Sequence, residues 1–444
     1  MRIEAPKIET RSEKYIVQPM SQSVREILTS VKSLLGGTAG FTLGNSLLGV
    51  ILPLRMEAAG YPILLTGAIM AAYYLGLALG GLRGKHVIFR IGHIRAFAAF
   101  AALTAATILA YEAFFHPTAW MILRIVNGFC IAGMTAAIES WLNTRSSNQT
   151  RGRVLGFYML TFYLAIAAGQ TLVNVADVAA PDLLLLAASL VGLSLIPVAL
   201  TSLGEPNLSN SRVLNVRELY AASKVGVVGA GVAGLLVGSF YALGVVFARQ
   251  IGLSVSEAAL FMSTVVLGGL AFQVPMGALA DRFDRRVVMS GALLAIGVAW
   301  GALAGLLASG LPFVALVIVA PLFGGAMSSV YPLCVAQTFD RLENKYYIAA
   351  SGRLLMVYSI GATIGPLLAA TLMSIYGPGS FFLFESTVAI FYALFVLVRV
   401  VRRPGVAADQ REKYVPLPDV TPIAMALDPR TGPDRQDGGE LVKR

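Results

Sequence analysis

The sequence predicts an all-α membrane protein with twelve transmembrane helices arranged as two six-helix repeats. Of its 444 residues, 57% are hydrophobic and 13% are charged, about half the charged share of a typical soluble domain. Charge-free stretches long enough to cross a bilayer recur along the chain. Short sequences of the first half return in the second half after about 200 residues, as expected of internal repeats. The composition therefore argues against a water-soluble enzyme.

The twelve spans follow from the charge pattern. Six of them are continuous stretches without Asp, Glu, Lys or Arg, at residues 33–54, 58–82, 154–176, 183–204, 225–248 and 258–280. Three longer regions hold two spans each, because a turn sequence divides them. The dividing residues are 116–117 within 96–142, 309–312 within 287–339 and 377–379 within 354–398.

The spans divide the chain into two bundles with polar connections. The predicted parts are an N-terminal segment at 1–32, a first bundle at 33–203, a loop at 204–224, a second bundle at 225–401 and a tail at 402–444. Residues 23–35 have apolar positions at helical spacing, which predicts a short helix on the membrane surface. The tail is rich in Pro, Asp, Arg and Gly, which predicts disorder.

The basic residues predict the orientation in the membrane. Of the 34 Lys and Arg residues, 31 lie in segments on one side of the predicted spans. The positive-inside rule assigns that side, and with it both termini, to the cytoplasm. The net charge of +10 is therefore a topology signal, and we expect a lipid bilayer and a small-molecule substrate as partners rather than nucleic acid.

The repeat itself indicates a class of protein. Residues 152–158 read GRVLGFY and open the fifth span, and residues 352–358 read GRLLMVY and open the eleventh. Leu-Gly-Val followed by Arg ends both the first and the seventh span. Parallel six-helix repeats with a binding site between them are typical of transporters.

Three motifs resemble those of the major facilitator superfamily. Residues 277–286 read GALADRFDRR and are similar to its cytoplasmic loop signature, residues 124–128 read RIVNG, and residues 361–366 read GATIGP. The stretch 139–142, ESWL, together with Arg151–Arg153, Tyr158 and Gly169–Gln170, resembles the YcaD-like branch of bacterial carriers. The resemblance implies the major facilitator fold in a bacterial cytoplasmic membrane, alternating access and no cofactor, but it names no substrate.

The loop motif predicts a cytoplasmic gate. Its predicted members are Gly277, Asp281, Arg282, Arg285, Arg286, Arg90, Arg95, Glu139 and Asp340. We expect Asp281 to approach the N-terminus of the fifth span near Gly152, where the helix dipole favours a carboxylate. The arginines of the loop would pair with Asp340 or Glu343, and Arg90 or Arg95 with Glu139. The alternative is that these arginines only anchor the topology.

Arg124 is the strongest candidate for substrate binding, because an arginine inside a span is energetically costly unless it faces a cavity or a partner. The alternative is that its side chain reaches the outer surface. Further polar candidates for the pathway are Asn127, Asn45, Gln170, Asn174, Tyr241 and Tyr331. For each of these, a hydrogen bond between packed helices is the competing interpretation.

Two further features concern coupling and movement. Glu139 is a candidate proton carrier, although its depth favours an ion pair in the gate. Glu112 and Glu385 are expected at the membrane–water interface. Gly361, Gly365 and Pro366 predict a kink in the eleventh span, because proline removes a helix hydrogen bond. Tight helix packing is the alternative.

The sequence as a whole predicts a secondary active transporter of a small organic molecule, either an exporter of amphipathic compounds, with proton coupling open, or a carrier that takes up an organic anion through Arg124. A non-transporting membrane sensor of the same fold is the other class considered. No phosphate-binding loop, catalytic triad or metal-binding set is found in the sequence, so an enzyme is not expected. We expect a monomer.

Overall fold

A computed structural model describes residues 24–147, 149–200, 215–306, 310, 312–407, 410–411 and 413–415. Within these residues, twelve helices are long and apolar enough to cross a membrane. The predicted all-α architecture with twelve spans is therefore confirmed.

The first six spans, numbered in chain order, form the N-terminal bundle. They are helices Val24–Ala58, Ile63–Ile91, His93–Ala113, Pro117–Arg145 and Arg151–Thr171, followed by the pair Asp182–Leu193 and Leu195–Ala199. Spans 7 to 12 form the C-terminal bundle. They are helices Lys224–Gln250, Val255–Arg282, Arg285–Leu306, Phe313–Phe339, Tyr347–Tyr376 and Gly379–Arg402.

Glycines bring spans 2 and 4 into direct backbone contact. A Cβ atom on Gly76 would overlap the backbone of Ile125, and one on Gly128 would overlap the backbone of Tyr73. Small residues allow this approach, which packing in a membrane requires. The contact holds the Arg124 turn of span 4 against the Tyr73 turn of span 2.

The C-terminal bundle repeats this contact between spans 8 and 10. A Cβ atom on Gly268 would overlap the backbone of Pro321, and one on Gly324 would overlap the backbone of Val265. These four positions lie 192 or 196 residues after their counterparts in the first bundle. The internal repeat is thus visible in the packing, although the residue equivalent to Arg124 is Ala320.

The two bundles contact each other away from the basic end, which we define as the end of the bundles that carries Arg90, Arg145, Arg282 and Arg402. At the opposite end, Arg249 Nε of span 7 lies 3.8 Å from Glu57 Oε2 of span 1. The Ser256 hydroxyl donates to Asn174 Oδ1 at 2.8 Å.

Spans 5 and 8 continue this contact towards the middle of the membrane. The Ser263 hydroxyl of span 8 donates to the carbonyl of Ala167 in span 5 at 3.0 Å. Deeper along the same pair of helices, Gln273 Nε2 donates to the Tyr163 hydroxyl at 3.3 Å. The two spans are therefore held together from the opposite end down to Tyr163.

Two predictions about the polar segments differ from the structure. Residues 24–32 belong to the same continuous helix as span 1, so they do not form a separate surface helix. Disorder was expected in the tail, but three of its residues are bonded to the second bundle: Arg403 to the start of span 9, Arg411 to the loop between spans 8 and 9, and Tyr414 to the end of span 8. Residues 408–409, 412 and 416–444 of the tail, residues 1–23 and residues 201–214 lie outside the described residues.

Candidate substrate cavity

A cavity lies between the two bundles, and residues of both bundles form its wall. The N-terminal bundle lines it with residues of spans 1, 2, 4 and 5, and the C-terminal bundle with residues of spans 7, 8, 10 and 11. Most of the wall is apolar or aromatic, including Phe41, Met70, Phe162, Met262 and Met327. A concave, largely apolar site with a few polar groups is the usual form of a small-molecule site.

Arg124 is buried in the wall of this cavity. Its side chain is 3% exposed, so it does not reach the outer surface, which was the alternative interpretation. The guanidinium carbon lies 4.7 Å from the centre of the Tyr73 ring. Nη2 lies 3.4 Å from the sulfur of Met70 and Nη1 lies 3.5 Å from Asn127 Oδ1, which are both weak contacts.

The charge of Arg124 is not neutralised by a carboxylate. Among the described residues, Arg124 forms no salt bridge, and its Nε has no hydrogen-bond partner. Asn45 Oδ1 and Gln170 Oε1, which belong to two other residues of the wall, are also buried without a partner in the part of the chain described. A buried cation without a counter-ion is costly, so the site is complementary to a ligand that brings a negative charge.

The structure places the other predicted pathway residues in different environments. Asn45, Gln170, Tyr241 and Tyr331 line the cavity. Asn127 is fully buried behind Arg124 and does not line it. The prediction for Asn174 is wrong, because this residue lies in a short 3-10 turn after span 5, where it is exposed and bonded to Ser256.

Two aromatic residues of the wall were missed in the sequence. Tyr73 faces the guanidinium group of Arg124, and its hydroxyl accepts a hydrogen bond from Asn45 Nδ2 at 3.3 Å. Tyr163 links span 5 to Gln273 of span 8. The glycines at positions 76 and 128 were the available signal for Tyr73, since they indicate where span 2 touches span 4.

At the basic end, the structure brings one predicted ion pair together. Both carboxylate oxygens of Asp340 accept hydrogen bonds from Arg285 Nη1, at 2.7 and 2.8 Å. The side chains of Arg285 and Asp340 are 1% and 2% exposed. This pair joins the start of span 9 to the end of span 10 within one bundle.

The loop arginine next to it has another partner. Arg286 bonds Asp284, with Nη2 at 2.7 Å from Oδ2, instead of Asp340 or Glu343. Burial raises the pKa of the Asp284 carboxyl, but the hydrogen bonds and charge of Arg286 lower it more, so the pKa lies below its usual range. Arg282 is exposed and forms no ion pair with any described residue.

The predicted gate contact between Asp281 and the start of span 5 is absent from the structure. Asp281 Oδ1 accepts the backbone N–H of Tyr414 at 2.8 Å and lies 3.7 Å from Arg285, and it does not contact span 5. Nothing described lies within 4 Å of a Cβ built on Gly152. The physical reason is that the bundles contact each other at the opposite end, which leaves the start of span 5 uncovered.

The pairing predicted for Glu139 is also wrong. Arg90 and Arg95 are exposed and bond no other described residue, whereas Glu139 is fully buried. Its Oε1 accepts a hydrogen bond from the Tyr158 hydroxyl at 3.0 Å. The helix rotation places the two arginines on the outer face, while Glu139 points into its own bundle.

Glu112 and Glu385, for which interface positions were expected, also differ from each other. Glu385 is 1% exposed and accepts a hydrogen bond from the Ser239 hydroxyl of span 7, so the expectation of an interface position is wrong. Glu112 pairs with Arg55, whose guanidinium also donates to carbonyls of the loop after span 5. No group of described residues could hold a metal ion.

The glycines of span 11 serve close packing. A Cβ atom on Gly361 would overlap the backbone of Gly231, and one on Gly365 would overlap that of Leu235. Span 11 is one continuous helix that includes Pro366. The alternative interpretation, tight packing against span 7, is therefore the one these contacts support.

Comparisons with known proteins agree with this architecture. The family model described as Major Facilitator Superfamily matches residues 34–247 and again residues 226–426. The uncharacterized MFS-type transporter YcaD of Salmonella typhi is 26% identical over 384 residues, which cover 85% of this chain and 98% of that protein. The YcaD of Escherichia fergusonii is 26% identical over 369 residues, 83% of this chain and 95% of that one.

Solved structures support the same fold. The nucleoside transporter NupG matches with a TM-score of 0.69 at 14% identity, over 84% of this chain and 98% of its own. A bacterial homolog of the human lysosomal transporter Spinster, in an inward-facing and occupied conformation, matches with a TM-score of 0.65 at 14% identity, over 88% of this chain and 99% of its own. The two overlapping matches of the family model cover most of the chain and show that this chain belongs to the Major Facilitator Superfamily of membrane transporters; its sequence resembles the YcaD-like members.

Proposed function

We propose that this protein is a secondary active transporter that carries a small organic anion through the cavity between its bundles by alternating access. The observation that supports the substrate class is Arg124, a buried cation in the cavity wall without a carboxylate partner among the described residues. A bound carboxylate or similar group would supply the missing counter-charge through charge-assisted hydrogen bonds. The aromatic and thioether wall would hold an apolar part of the same molecule.

A ligand panel tests this proposal. The purified protein is heated with organic anions, amphipathic cations, sugars and neutral drugs, because a ligand that binds only the folded state raises the melting temperature. We expect an organic anion to stabilise the wild type and to have no effect on Arg124→Ala. Arg145→Ala is the matched control, since Arg145 is exposed at the far end of the same helix. The anion is then tested for flux into liposomes that contain the protein.

Export of amphipathic compounds is the second candidate function. It is favoured by the apolar part of the wall, to which Phe41, Phe162 and Met262 belong. If cations or neutral amphipaths stabilise the wild type and Arg124→Ala equally, export becomes the better interpretation. If no compound of any class crosses the liposome membrane, the transport proposal fails. A non-transporting membrane sensor of the same fold then becomes the better interpretation.

Proton coupling through Glu139 belongs to the same proposal. Glu139 lies on the cavity-lining span 4, yet it is buried against Tyr158 and is not part of the cavity wall. A proton carrier there would have to be reached by movement of span 5. Replacement of Glu139 by Gln should abolish flux driven by a pH gradient and retain exchange of substrate; loss of both would instead indicate a structural role.

The proposed location is the cytoplasmic membrane of a bacterium, with both termini in the cytoplasm. The distribution of basic residues supports it. Arg90 and Phe115 are exposed at opposite ends of the spans. A cysteine introduced at Phe115 should react with a membrane-impermeant reagent in whole cells, whereas a cysteine introduced at Arg90 should not. The oligomeric state expected of the purified protein is a monomer, which light scattering can test.

A further inference from the structure

Part of the C-terminal tail is bound to the basic end of the C-terminal bundle. We call residues 403–407, 410–411 and 413–415 the strap. Its first residue is held by Arg286, which donates from Nη1 to the carbonyl of Arg403 at 3.0 Å. Further along, Arg411 donates from Nη1 to the carbonyl of Phe283 at 2.8 Å. Val415, the last residue that the structure describes, is 8% exposed.

Tyr414 is the centre of this contact. Its backbone N–H donates to Asp281 Oδ1 at 2.8 Å, and its hydroxyl donates to Gln273 Oε1 at 2.8 Å. Its ring lies against Gly277, where an added Cβ atom would overlap it. Tyr414 therefore covers the face of span 8 that carries Gln273, Gly277 and Asp281, one helical turn apart.

Spans 5 and 8 run antiparallel, and their contacts define a register. Asn174 meets Ser256, Ala167 meets Ser263, and Tyr163 meets Gly269. Each step towards the basic end on span 8 thus corresponds to a similar step back along span 5.

The same register predicts what would meet if these two spans also closed at the basic end. Continued from Tyr163 by about two turns, it places Gly156 opposite Gly277, and by about three turns it places Gly152 opposite Asp281. Nothing described lies within 4 Å of a Cβ atom on Gly152 or Gly156. The partners on span 8 are instead covered by Tyr414.

We propose that the face of span 8 at Gly277 and Asp281 is a docking surface for two competing partners, the strap and span 5. While the strap is bound, Tyr414 fills the space between the helices and takes the carboxylate that would otherwise meet the N-terminus of span 5. The strap thereby holds the basic end open and must leave before that end closes. The inference depends on the alternating access of the proposed function but not on its substrate.

Distance measurements between spin labels test the competition. One label is placed at Arg145 in the N-terminal bundle and one at Val287 in the C-terminal bundle, both exposed at the basic end. The two native cysteines are buried and should not react. Two variants are compared. Tyr414→Ala removes the ring and the hydroxyl but keeps the backbone N–H that donates to Asp281, whereas a chain that ends at Arg403 removes the whole contact.

We expect Tyr414→Ala to raise the ratio of short to long distances about fivefold, which is the size expected from losing one net hydrogen bond. The shortened chain should raise this ratio further, because it also loses the bonds from Arg411 and from the Tyr414 backbone. A peptide with the sequence of residues 404–415, added in excess to the shortened chain, should restore the long distance. Tyr220→Ala is the control, because Tyr220 is an exposed tyrosine near the same end outside the strap.

The measurement needs no substrate, so its outcome is independent of whether an organic anion is carried. If both variants keep the wild-type distances, or if Tyr220→Ala shifts them as much as Tyr414→Ala, the competition does not exist. Anion flux that remains in the same variants would then leave the transport proposal standing.

Discussion

The guanidinium group of Arg124 lies over the ring of Tyr73, 4.7 Å from its centre. Gly76 and Gly128 make this possible, because they let the backbones of spans 2 and 4 touch. The ring face supplies partial negative charge to a buried cation, while the edge of the guanidinium remains directed at other partners. Arg124 is thus held in the wall without being neutralised, as an anion site requires.

Replacing Tyr73 by Leu should weaken binding of the proposed anion by up to about thirtyfold, because a desolvated cation–π contact contributes roughly 2 kcal/mol. Titration of the purified protein with the anion found in the ligand panel measures the effect. Tyr73→Phe keeps the ring and should retain most of the affinity, although it loses the hydroxyl that accepts from Asn45. Equal affinity of Tyr73→Leu and the wild type would show that the ring does not support Arg124.

Gly128→Ala should lower the free energy of unfolding by about 1–3 kcal/mol, the usual cost of forcing an extra carbon into a packed contact. The added methyl group would overlap the backbone of Tyr73 and push span 2 away from span 4. Thermal unfolding in detergent measures this. Gly291→Ala is the control, because nothing described lies within 4 Å of a Cβ atom there, and alanine favours a helix. A similar loss in both variants would contradict the packing argument.

The sequence predicts well those features that depend on composition and on position along the chain. The twelve spans follow from stretches without charge, and the repeat that relates residue 152 to residue 352 returns in the glycine contacts of both bundles. Arg124 could also be singled out, since an arginine inside a span needs a cavity or a partner, and it lies in the cavity wall. These inferences require only the length and polarity of each helix.

Features that depend on helix rotation, or on which end of the bundles is closed, were not predictable. Arg95 and Glu139 lie at a similar depth, but Arg95 turns outwards and Glu139 inwards. Gln170 and Asn174 would share a face in an ideal α-helix, yet the 3-10 turn after span 5 moves Asn174 to the surface. Tyr414 and Asp281 are 133 residues apart in the sequence, so no local sequence pattern predicts their contact.

Acid should destabilise the wild type more than the variant Asp284→Asn. The pKa of Asp284 lies below its ordinary value, which is about 3.9, so as pH falls the unfolded chain takes up this proton first. The stabilisation is therefore present above about pH 4 and is lost as the pH falls through the lowered pKa of the folded state.

Melting temperatures of the two proteins between pH 7 and pH 3 measure this difference. At pH 7 the wild type should be the more stable of the two, because only its carboxylate pairs with Arg286. The difference in melting temperature between the two proteins should become smaller below pH 4. Parallel curves over the whole range would show that the pair contributes no stability that depends on this proton.

Breaking the pair between Arg285 and Asp340 should be much more costly than removing an exposed arginine. Both side chains are almost fully buried, and Asp340→Ala leaves the Arg285 charge with only the exposed carboxylate of Asp281, 3.7 Å away, as a partner. The free energy of unfolding should therefore fall by up to about 3–5 kcal/mol. The double variant Arg285→Met, Asp340→Leu removes both charges and should lie closer to the wild type. Arg282→Ala, at an exposed neighbouring position, should have little effect.

Thermal unfolding of these four proteins separates two roles of the pair. If its value is mutual neutralisation, the double variant recovers most of the stability that Asp340→Ala loses. If the hydrogen bonds from Arg285 Nη1 to the two oxygens of Asp340 themselves fix span 9 against span 10, the double variant stays as unstable as Asp340→Ala. We expect the double variant to recover stability, because well-packed apolar side chains commonly replace a buried ion pair at no cost. A double variant less stable than Asp340→Ala would contradict this expectation.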